Sequence, residues 1–368
     1  MTTNESDLQH IQRSIELAGK GVGLVSPNPL VGCVIVSTDG EIVGEGTYIY
    51  DDVTHAEVIA LEQAGEKAKG GTAYVSLEPH AHHGKTSPCT NALINAGIKR
   101  VVAPIEDPNP LVSGKGFEKL RENAVEVLTG ILADEAAKLN EKFICWHKKK
   151  RPFIHLKLAT SLDGRISLNR SVSTALSGES ALKRVHELRH EHDAILIGVN
   201  TAIVDDPSLT DRSGKPRRRP LVRIVVDNSL RLPKENKLAM TAKDIPTLVF
   251  TSNIDPVDTN PLTDLSVEVI PIPGGPRNLP ELLSELYRRE IQSVLVEGGS
   301  EVAAAVIESK LVDKMTLIFS PIIIGGKDAP VAVGGTGAKS IAEALKLNNL
   351  SITRLGEDIE LTGYPSFN

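Results

Sequence analysis

The sequence is poor in aromatic residues, and this shortage limits what its cores and surfaces can do. Phe, Trp and Tyr together make up 3% of the 368 residues, so the cores must be built from aliphatic side chains. Few aromatics also leave few platforms for stacked bases, on which single-strand nucleic-acid binding depends together with a positive groove. The formal net charge is −6, whereas nucleic-acid-binding domains usually carry a basic surface. We therefore expect no nucleic-acid partner.

Cysteines and long apolar runs are also scarce. The three cysteines, Cys33, Cys89 and Cys145, cannot all pair with one another, which is typical of a reducing compartment. No apolar run approaches the roughly 20 residues of a membrane-spanning helix, and the first ten residues lack the basic start and apolar core of a signal peptide. These absences predict a cytoplasmic protein without a membrane partner.

The length of the chain favours two domains, because single hydrophobic cores usually stop growing at about 250–300 residues. Alternating helix and strand patterns continue up to the basic run His147–Arg151. Such a run could bind an acidic partner, but it is more often a solvated linker or the cationic end of a helix. We place the domain boundary there, which gives domains 1–150 and 151–368.

Hydrophobic periodicity predicts an α/β fold in both halves. In the first half, helices are predicted from Ser6, over 56–69 and over 88–97, and strands over 33–36, 42–49, 73–77 and 100–103. In the second half, the predicted strands are 153–159, 194–197, 221–227, 247–251, 293–296 and 315–324, and the predicted helices are 179–191, 279–290 and 299–309. This order predicts a sheet covered by helices in each domain.

His55, Glu57, His80 and Cys89 form the strongest chemical pattern in the sequence. Zinc nucleobase deaminases place a His-x-Glu on one helix and two further ligands at the start of another, which leaves one coordination position for water. Zinc makes that water acidic, and a carboxylate two residues after the first ligand can carry its proton to the departing ammonia. We predict one zinc ion per chain, held by His55, His80 and Cys89, with Glu57 as the catalytic residue.

His80 is the unusual member of this group, because a Cys normally stands at the first position of the second motif. Imidazole is a good zinc ligand, and a His/His/Cys set carries one negative charge fewer than His/Cys/Cys. The neighbouring His82 and His83 are alternative ligands. A further alternative is that His80 only caps a loop, which would leave the domain metal-free and inactive.

The string LEPHAHHGKTSPC at Leu77–Cys89 is much more specific than His-x-Glu. It resembles the deaminase domain of the bifunctional deaminase/reductases of riboflavin biosynthesis, as do SPNPLVG at Ser26–Gly32 and DPNP at Asp107–Pro110. The resemblance covers nearly the whole chain. It implies a three-layer cytidine-deaminase-like domain that removes the 2-amino group of a phosphoribosylated diaminopyrimidinone. Nucleic-acid deaminases share the zinc motif, but the acidic chain and its few aromatics disfavour them.

The same resemblance implies the substrate contacts of the deaminase domain. The implied residues are Asn28, His82, Lys85, Asp107 and Asn109. An ammonium such as that of Lys85 suits a phosphate because it is a compact point charge. Without the resemblance, the simpler interpretation of Lys85 is an exposed lysine in a loop. The Asn-Pro motifs could likewise be mere turns. The family usually has His at the position of Tyr48, so one phosphate contact is expected to differ.

The second half resembles the dihydrofolate-reductase-like α/β domain of the same family. The matching segments are Ile154–Arg165, Gly198–Thr201, Asp205–Thr210 and Val296–Ser300. In the last of them a strand runs into two glycines and a helix, which brings backbone N–H groups against a dinucleotide phosphate. A Gly pair after a strand is often a simple turn, and this one is not the Gly-x-Gly-x-x-Gly of a Rossmann fold. The resemblance implies NADPH as the cofactor.

Two sets of reductase residues follow from this resemblance. Those implied to lie along NADPH are Lys157, Ala159, Thr201, Asp205, Asn228, Gly299, Ser300, Glu301, Val302, Ala303, Ala304 and Ala305. Those implied to line the phosphoribosyl substrate are Ser173, Arg189, Leu209, Arg212 and Glu297. Paired arginines suit a phosphate, although surface salt bridges explain them equally well without the resemblance. Lys157, Asp205 and Glu297 are the candidates for holding the ribose and relaying the proton to the new hydroxyl.

Three functions are compatible with these patterns. The first is a cytoplasmic, homo-oligomeric enzyme that deaminates 2,5-diamino-6-(5-phosphoribosylamino)pyrimidin-4-one and then reduces its ribosyl group to ribityl with NADPH. The second is a reductase alone, with a metal-free deaminase domain as a scaffold. The third is a nucleotide-binding regulatory protein without turnover. Zinc analysis separates the first two, and NADPH oxidation separates the second from the third.

Overall fold

A computed structural model describes residues 5–81, 88–253 and 255–367. The chain divides into two compact units, Met1–Lys150 with Pro216–Arg218 and Arg151–Lys215 with Arg219–Asn368. The change of unit after Lys150 follows a helix whose last turn is basic. Cations at that end stabilise a helix because they offset the negative end of its dipole.

The first unit is built on a five-stranded sheet with the order β2-β1-β3-β4-β5. Its strands are β1 (Gly32–Val36), β2 (Ile42–Thr47), β3 (Thr72–Val75), β4 (Arg100–Ala103) and β5 (Glu126–Thr129). Its helices are α1 (Glu5–Gly19), α2 (Ala56–Ala64), α3 (Cys89–Asn95), α4 (Lys115–Glu122), α5 (Ala133–Leu139) and α6 (Glu141–Lys149). β1 is antiparallel to both neighbours, whereas β3, β4 and β5 are parallel.

The first unit has three layers because both faces of its sheet are apolar. Successive side chains of a strand point to opposite faces. Along β1, Cys33 and Ile35 pack with α2 and α3 in one buried cluster. Val34 and Val36 belong to a second cluster that includes Ile11 of α1. The predicted three-layer arrangement is confirmed.

Two boundaries in the first unit differ from the predicted ones. The helix predicted over 56–69 ends at Ala64, because Gly65 has a positive φ of 54°, and a short 3-10 turn follows over Gly65–Ala68. The strand predicted over 42–49 ends at Thr47. β5 was not predicted. It has only four residues, lies at the sheet edge and shows no alternation, because its two end residues are exposed and its two middle residues are half-buried.

The second unit is built on a nine-stranded sheet with the order β10-β9-β8-β7-β11-β6-β12-β14-β13. Its strands are β6 (Phe153–Ser161), β7 (Ala194–Gly198), β8 (Val222–Val226), β9 (Thr247–Thr251), β10 (Glu268–Pro271), β11 (Ser293–Val296), β12 (Lys314–Ser320), β13 (Lys346–Leu355) and β14 (Asp358–Ser366). Its helices are α7 (Glu179–His190), α8 (Val199–Asp205), α9 (Lys237–Met240), α10 (Pro256–Thr263), α11 (Leu279–Arg288) and α12 (Ser300–Glu308), with a 3-10 turn at Ile341–Glu343. Among the described helices, none is both long and apolar enough to cross a bilayer.

Helices cover both faces of the parallel part of this sheet. Ala194 and Leu196 of β7 pack in the cluster that contains α11 and α12. Ile195 and Ile197, which point the other way, pack in a cluster with α8 and α9. The hairpin of β13 and β14 was not predicted, because β13 is exposed along nearly its whole length and lacks an apolar pattern. The strand predicted to reach residue 324 ends at Ser320.

A buried arginine joins two loops to the sheet of the second unit. Arg223 of β8 is 0% exposed, and burial lowers the pKa of its guanidinium to about 10. The group donates to hydroxyl and carbonyl oxygens at 2.7–3.3 Å, and these acceptors are Ser208, Leu238, Thr241, Ile245 and Thr247. The guanidinium thereby satisfies backbone carbonyls that the fold would otherwise bury alone.

We predict that Arg223→Met lowers the free energy of unfolding of this unit by about 2–4 kcal/mol, because the carbonyls keep their burial and lose their donors. Urea unfolding followed by circular dichroism measures the change. Arg231→Met, at an exposed position, is the matched control and should stay within about 0.5 kcal/mol of the parent. Equal effects of the two substitutions would contradict a structural role for Arg223.

Candidate active sites

The first unit brings His55, His80 and Cys89 together. Their ligand atoms all lie within 4.8 Å of one another. The Cys89 sulfur is 2.8 Å from His80 Nδ1, and the His55 and His80 rings stack with centroids 4.4 Å apart. Two imidazole nitrogens and one cysteine sulfur are a donor set of catalytic zinc sites, which keep their fourth coordination position for water.

Backbone packing places His55 at this position. His55 immediately precedes α2, and α2 lies directly against β2. Gly44 and Gly46 of β2 make this contact possible, because a Cβ atom at either position would overlap a backbone carbonyl of α2. Cys89 is the first residue of α3, directly after Pro88. Pro is favoured where a helix begins, because its missing N–H has no helical partner there.

Glu57 lies in the first turn of α2 and is 2% exposed. Among the described residues, its Oε2 atom is buried without a hydrogen-bond partner. Burial, and then the charge of Glu57 and a hydrogen bond with it, raise the pKa of the Cys89 thiol well above its usual range. A buried carboxylate oxygen without a donor needs a nearby positive charge. A cation bound by the two imidazoles and the thiol would supply it, so the group fits a metal ion.

Asn28 and Tyr48 lie next to this group. The Asn28 amide donates to the Tyr48 hydroxyl at 2.6 Å, and the Tyr48 ring is 5.6 Å from that of His55. Tyr48 is 7% exposed, and burial raises the pKa of its hydroxyl. The tyrosine that stands where the family usually has His therefore contacts the asparagine implied to hold the base.

Asp107 and Asn109 form a turn after β4. Asp107 Oδ1 accepts the Asn109 backbone N–H at 2.7 Å, and the Asn109 side-chain oxygen accepts from Leu111. Burial raises the pKa of Asp107 to about 6, and the nearby Glu78 carboxylate adds to the rise against the Asn109 hydrogen bond. The other implied substrate contacts, His82 and Lys85, lie outside the described residues together with His83.

The second unit contains a buried carboxylate between two cations. Glu297 accepts from Arg189 Nε at 2.7 Å and from Arg189 Nη2 at 3.0 Å, and Lys157 Nζ lies 3.7 Å away. Burial alone would raise the pKa of Glu297, but Arg189 and Lys157 outweigh it and lower the pKa to about 2. Glu297 is therefore an anion throughout the physiological range.

The other implied substrate residues of this unit differ in how closely they approach Glu297. Leu209 is 4% exposed, and the neighbouring Thr210 carbonyl accepts from Arg189. Arg212 is exposed and donates to the Thr210 hydroxyl at 3.1 Å. Ser173 and Asp205 are both exposed, and in the described part of the chain no hydrogen bond or ion pair joins them to Glu297.

Sequence reasoning missed His186 in this region. It lies on α7 three residues before Arg189, so the two side chains share a face. Its Nδ1 atom is buried without a partner among the described residues. Burial, and then the charges of Arg189 and Arg212, lower the pKa of His186. The available signal was its helical spacing from Arg189.

Thr201, Asn228 and Gly299, three of the residues implied to lie along NADPH, closely follow the carboxyl ends of β7, β8 and β11. The backbone N–H of Gly299 donates to Thr201 Oγ1 at 3.2 Å, and a Cβ atom at Gly299 would lie 3.0 Å from that oxygen. Gly299 caps α12, where Ser300, Glu301 and Val302 form the first turn. Ala303 and Ala304 have buried side chains, whereas Ala305 and Ala159 are half-buried. Asn228 follows β8, and its side-chain oxygen accepts from Ser252. A glycine-opened helix at this edge fits a dinucleotide phosphate.

Comparison with protein families matches both halves of the chain. Residues 4–104 match the cytidine and deoxycytidylate deaminase zinc-binding region. Residues 152–361, more than half of the chain, match the RibD C-terminal domain. The two matched regions contain the metal group and the Glu297 site respectively.

Comparison with individual proteins extends the similarity over nearly the full length. The chain is 40% identical to riboflavin biosynthesis protein RibD of Actinobacillus pleuropneumoniae over 97% of this chain and 94% of the relative. Identity to the Aquifex aeolicus RibD is 41%, over 96% of this chain and 97% of the relative. The structure of Acinetobacter baumannii RibD superposes with a TM-score of 0.86 at 35% identity, covering 98% of this chain and 99% of that chain. The crystal structure of a Thermotoga maritima diaminohydroxyphosphoribosylaminopyrimidine deaminase/5-amino-6-(5-phosphoribosylamino)uracil reductase superposes with a TM-score of 0.85 at 36% identity, and the coverage of both chains is the same. The chain therefore belongs to the RibD family of bifunctional deaminase/reductases of riboflavin biosynthesis.

Proposed function

We propose that the first unit hydrolyses the 2-amino group of 2,5-diamino-6-(5-phosphoribosylamino)pyrimidin-4-one and that the second unit reduces the ribosyl group of the product to ribityl. The observation that carries the proposal is the joint placement of His55, His80 and Cys89 with the unpartnered Glu57 carboxylate. The similarity to the Thermotoga maritima deaminase/reductase supports this choice of substrates.

We propose zinc as the metal of the first unit, held by His55, His80 and Cys89. Zinc bound there supplies Lewis acidity, which makes water acidic enough to act as a nucleophile near neutral pH. Glu57 takes the proton from that water and delivers it to the departing ammonia, a transfer that its position beside Cys89 allows. The exclusion of solvent around Glu57, which is 2% exposed, keeps the proton within the site.

The substrate of the first unit would be held on both sides of the metal group. Asn28, oriented by its hydrogen bond to Tyr48, holds the base. Asp107 and Asn109 contact the substrate from the turn after β4. We assign His82 and Lys85 to the substrate as well, with the Lys85 ammonium on the phosphate.

In the second unit, we propose NADPH as the hydride donor, bound along Lys157, Ala159, Thr201, Asp205, Asn228 and Gly299–Ala305. Glu297, kept ionised by Arg189 and Lys157, accepts hydrogen bonds from the ribose hydroxyls. Arg189 and Arg212 face the phosphoribosyl group, with Ser173 and Leu209 lining it. We assign the proton for the new hydroxyl to Lys157, which lies beside Glu297, because an anionic Glu297 has none to give and the exposed Asp205 is not joined to Glu297 in the described part of the chain.

We propose that the two activities correspond to residues 1–150 and 151–368, and that the enzyme acts in the cytoplasm as a homo-oligomer. Cys33, Cys89 and Cys145 form no disulfides with one another, which agrees with a reducing compartment. The exposed apolar residues Leu350 and Ile352 on the edge strand β13 support association with a second copy.

We predict that Glu57→Gln lowers kcat for ammonia release by about 10²- to 10⁴-fold, because the amide cannot carry the proton. Zinc content should stay near one ion per chain, since the carboxylate is not a ligand. Ammonia release and metal analysis on the same sample measure both. Deamination at the parent rate would refute the role of Glu57.

We predict that His80→Ala loses most of its zinc, whereas His80→Cys retains about one ion per chain, because a thiolate can replace the imidazole. Elemental analysis after dialysis gives the stoichiometry. Full zinc content in His80→Ala would show that His82 or His83 is the ligand instead. A parent protein without zinc would favour a reductase with an inactive first unit.

We predict that each activity survives the loss of the other. Glu57→Gln should reduce the deaminated substrate at the parent rate, because the two sites lie in separate units. Glu297→Ala and Asp205→Ala should release ammonia normally and lose at least about tenfold in NADPH oxidation. Both assays are run in parallel on each variant. A substitution that stops both activities in a folded protein would contradict two independent sites.

A further inference from the structure

A buried carboxylate next to the metal group has no role in the chemistry proposed above. Glu78 lies between β3 and His80 and is 4% exposed. Its Oε2 atom accepts the backbone N–H groups of Asp107 at 3.0 Å and Gly114 at 2.9 Å. Its Oε1 atom accepts those of Gly116 at 2.8 Å and Phe117 at 3.4 Å. One side chain thus binds four amides of the segment Asp107–Phe117, which we call the substrate loop.

The substrate loop supplies a favourable environment for this negative charge. Gly114, Gly116 and Phe117 belong to the start of α4, where unpaired N–H groups and the helix dipole stabilise an anion. Bonds from N–H groups to an ionised acceptor are about twice as strong as neutral ones. Gly116 permits the approach, because a Cβ atom there would overlap the Pro79 carbonyl oxygen.

Glu78 connects two parts of the deaminase site. Along the chain it is two residues before His80, whose ring lies against Cys89. Through hydrogen bonds it holds Asp107, and the Asp107 carboxylate in turn holds the Asn109 backbone. A second contact joins the segment after β3 to the segment after β4, because the Glu78 backbone N–H donates to the Ile105 carbonyl oxygen at 3.2 Å.

We infer that Glu78 is a positioning residue, which fixes the substrate loop against the metal group and so sets the affinity of the deaminase for its substrate. The inference rests on the proposed deaminase activity and on the assignment of Asp107 and Asn109 to the substrate. It concerns substrate binding, and the chemical step itself remains with Glu57.

The test compares Glu78→Gln with Glu106→Gln. The first substitution places an amide NH₂ against two backbone N–H donors and removes the charge, so the loop loses its anchor. The second removes one negative charge from Glu106, the residue before Asp107. Glu106 is exposed and accepts a hydrogen bond from the Ser113 hydroxyl at 3.4 Å. We expect Glu78→Gln to raise KM for ammonia release about tenfold or more, with kcat within about threefold of the parent. Zinc content and NADPH oxidation should be unchanged, and Glu106→Gln should match the parent throughout.

A second variant and a second readout keep the inference testable if Glu78→Gln does not fold. Glu78→Asp retains the charge but is one methylene shorter, so it reaches only one pair of amides, and we expect a smaller rise in KM with zinc retained. Backbone hydrogen exchange at Gly114, Gly116 and Phe117 should be faster in either Glu78 variant than in Glu106→Gln, whether or not the enzyme turns over.

These outcomes separate the inference from the proposed function. A parent protein that releases no ammonia refutes the deaminase, whereas hydrogen exchange still reports on the loop. Unchanged KM and exchange in a folded Glu78 variant would overturn the inference. Loss of zinc in both Glu78 variants would also overturn it, because the carboxylate would then maintain the metal group rather than the substrate loop.

Discussion

Parallel strand pairing is the constraint on which both sites depend. Parallel neighbours end at the same edge of a sheet, so residues that follow different strands meet there although they lie far apart in sequence. In the first unit, the segments after β3 and β4 supply His80 and Asp107. In the second unit, the segments after β7 and β11 supply Thr201 and Glu297. The chemistry differs between the units, but the same arrangement collects its residues.

The carboxylates at these edges show how a partner decides the charge state. Asp107 and Glu297 are both buried. Asp107 accepts from the Asn109 backbone N–H and has another carboxylate nearby, and its pKa rises to about 6. Glu297 lies between two cations, and its pKa falls to about 2. Burial penalises the charged form in both cases, so the neighbouring charges account for the difference.

The sequence predicted those parts of the structure that have local signals. The apolar strand over 33–36 and the His-x-Glu motif could be recognised because periodicity and residue spacing belong to short segments. The joint placement of His55, His80 and Cys89 was expected from such spacing. Glu78 could not be identified in this way, because its importance comes from contacts with residues distant in sequence. The exposed strand β13 has no apolar face to reveal it.

The single sulfur in the metal group has a consequence for oxidation. A site with two cysteine ligands can be oxidised to a disulfide, which removes both ligands at once and releases the cation. The group formed by His55, His80 and Cys89 contains one thiol, so its own ligands cannot pair in this way. The remaining route is stepwise oxidation of Cys89 to a sulfenic acid, which requires access to the sulfur. Cys89 is 0% exposed, so an oxidant must first reach a buried sulfur, and the imidazole of His80 removes the disulfide route altogether.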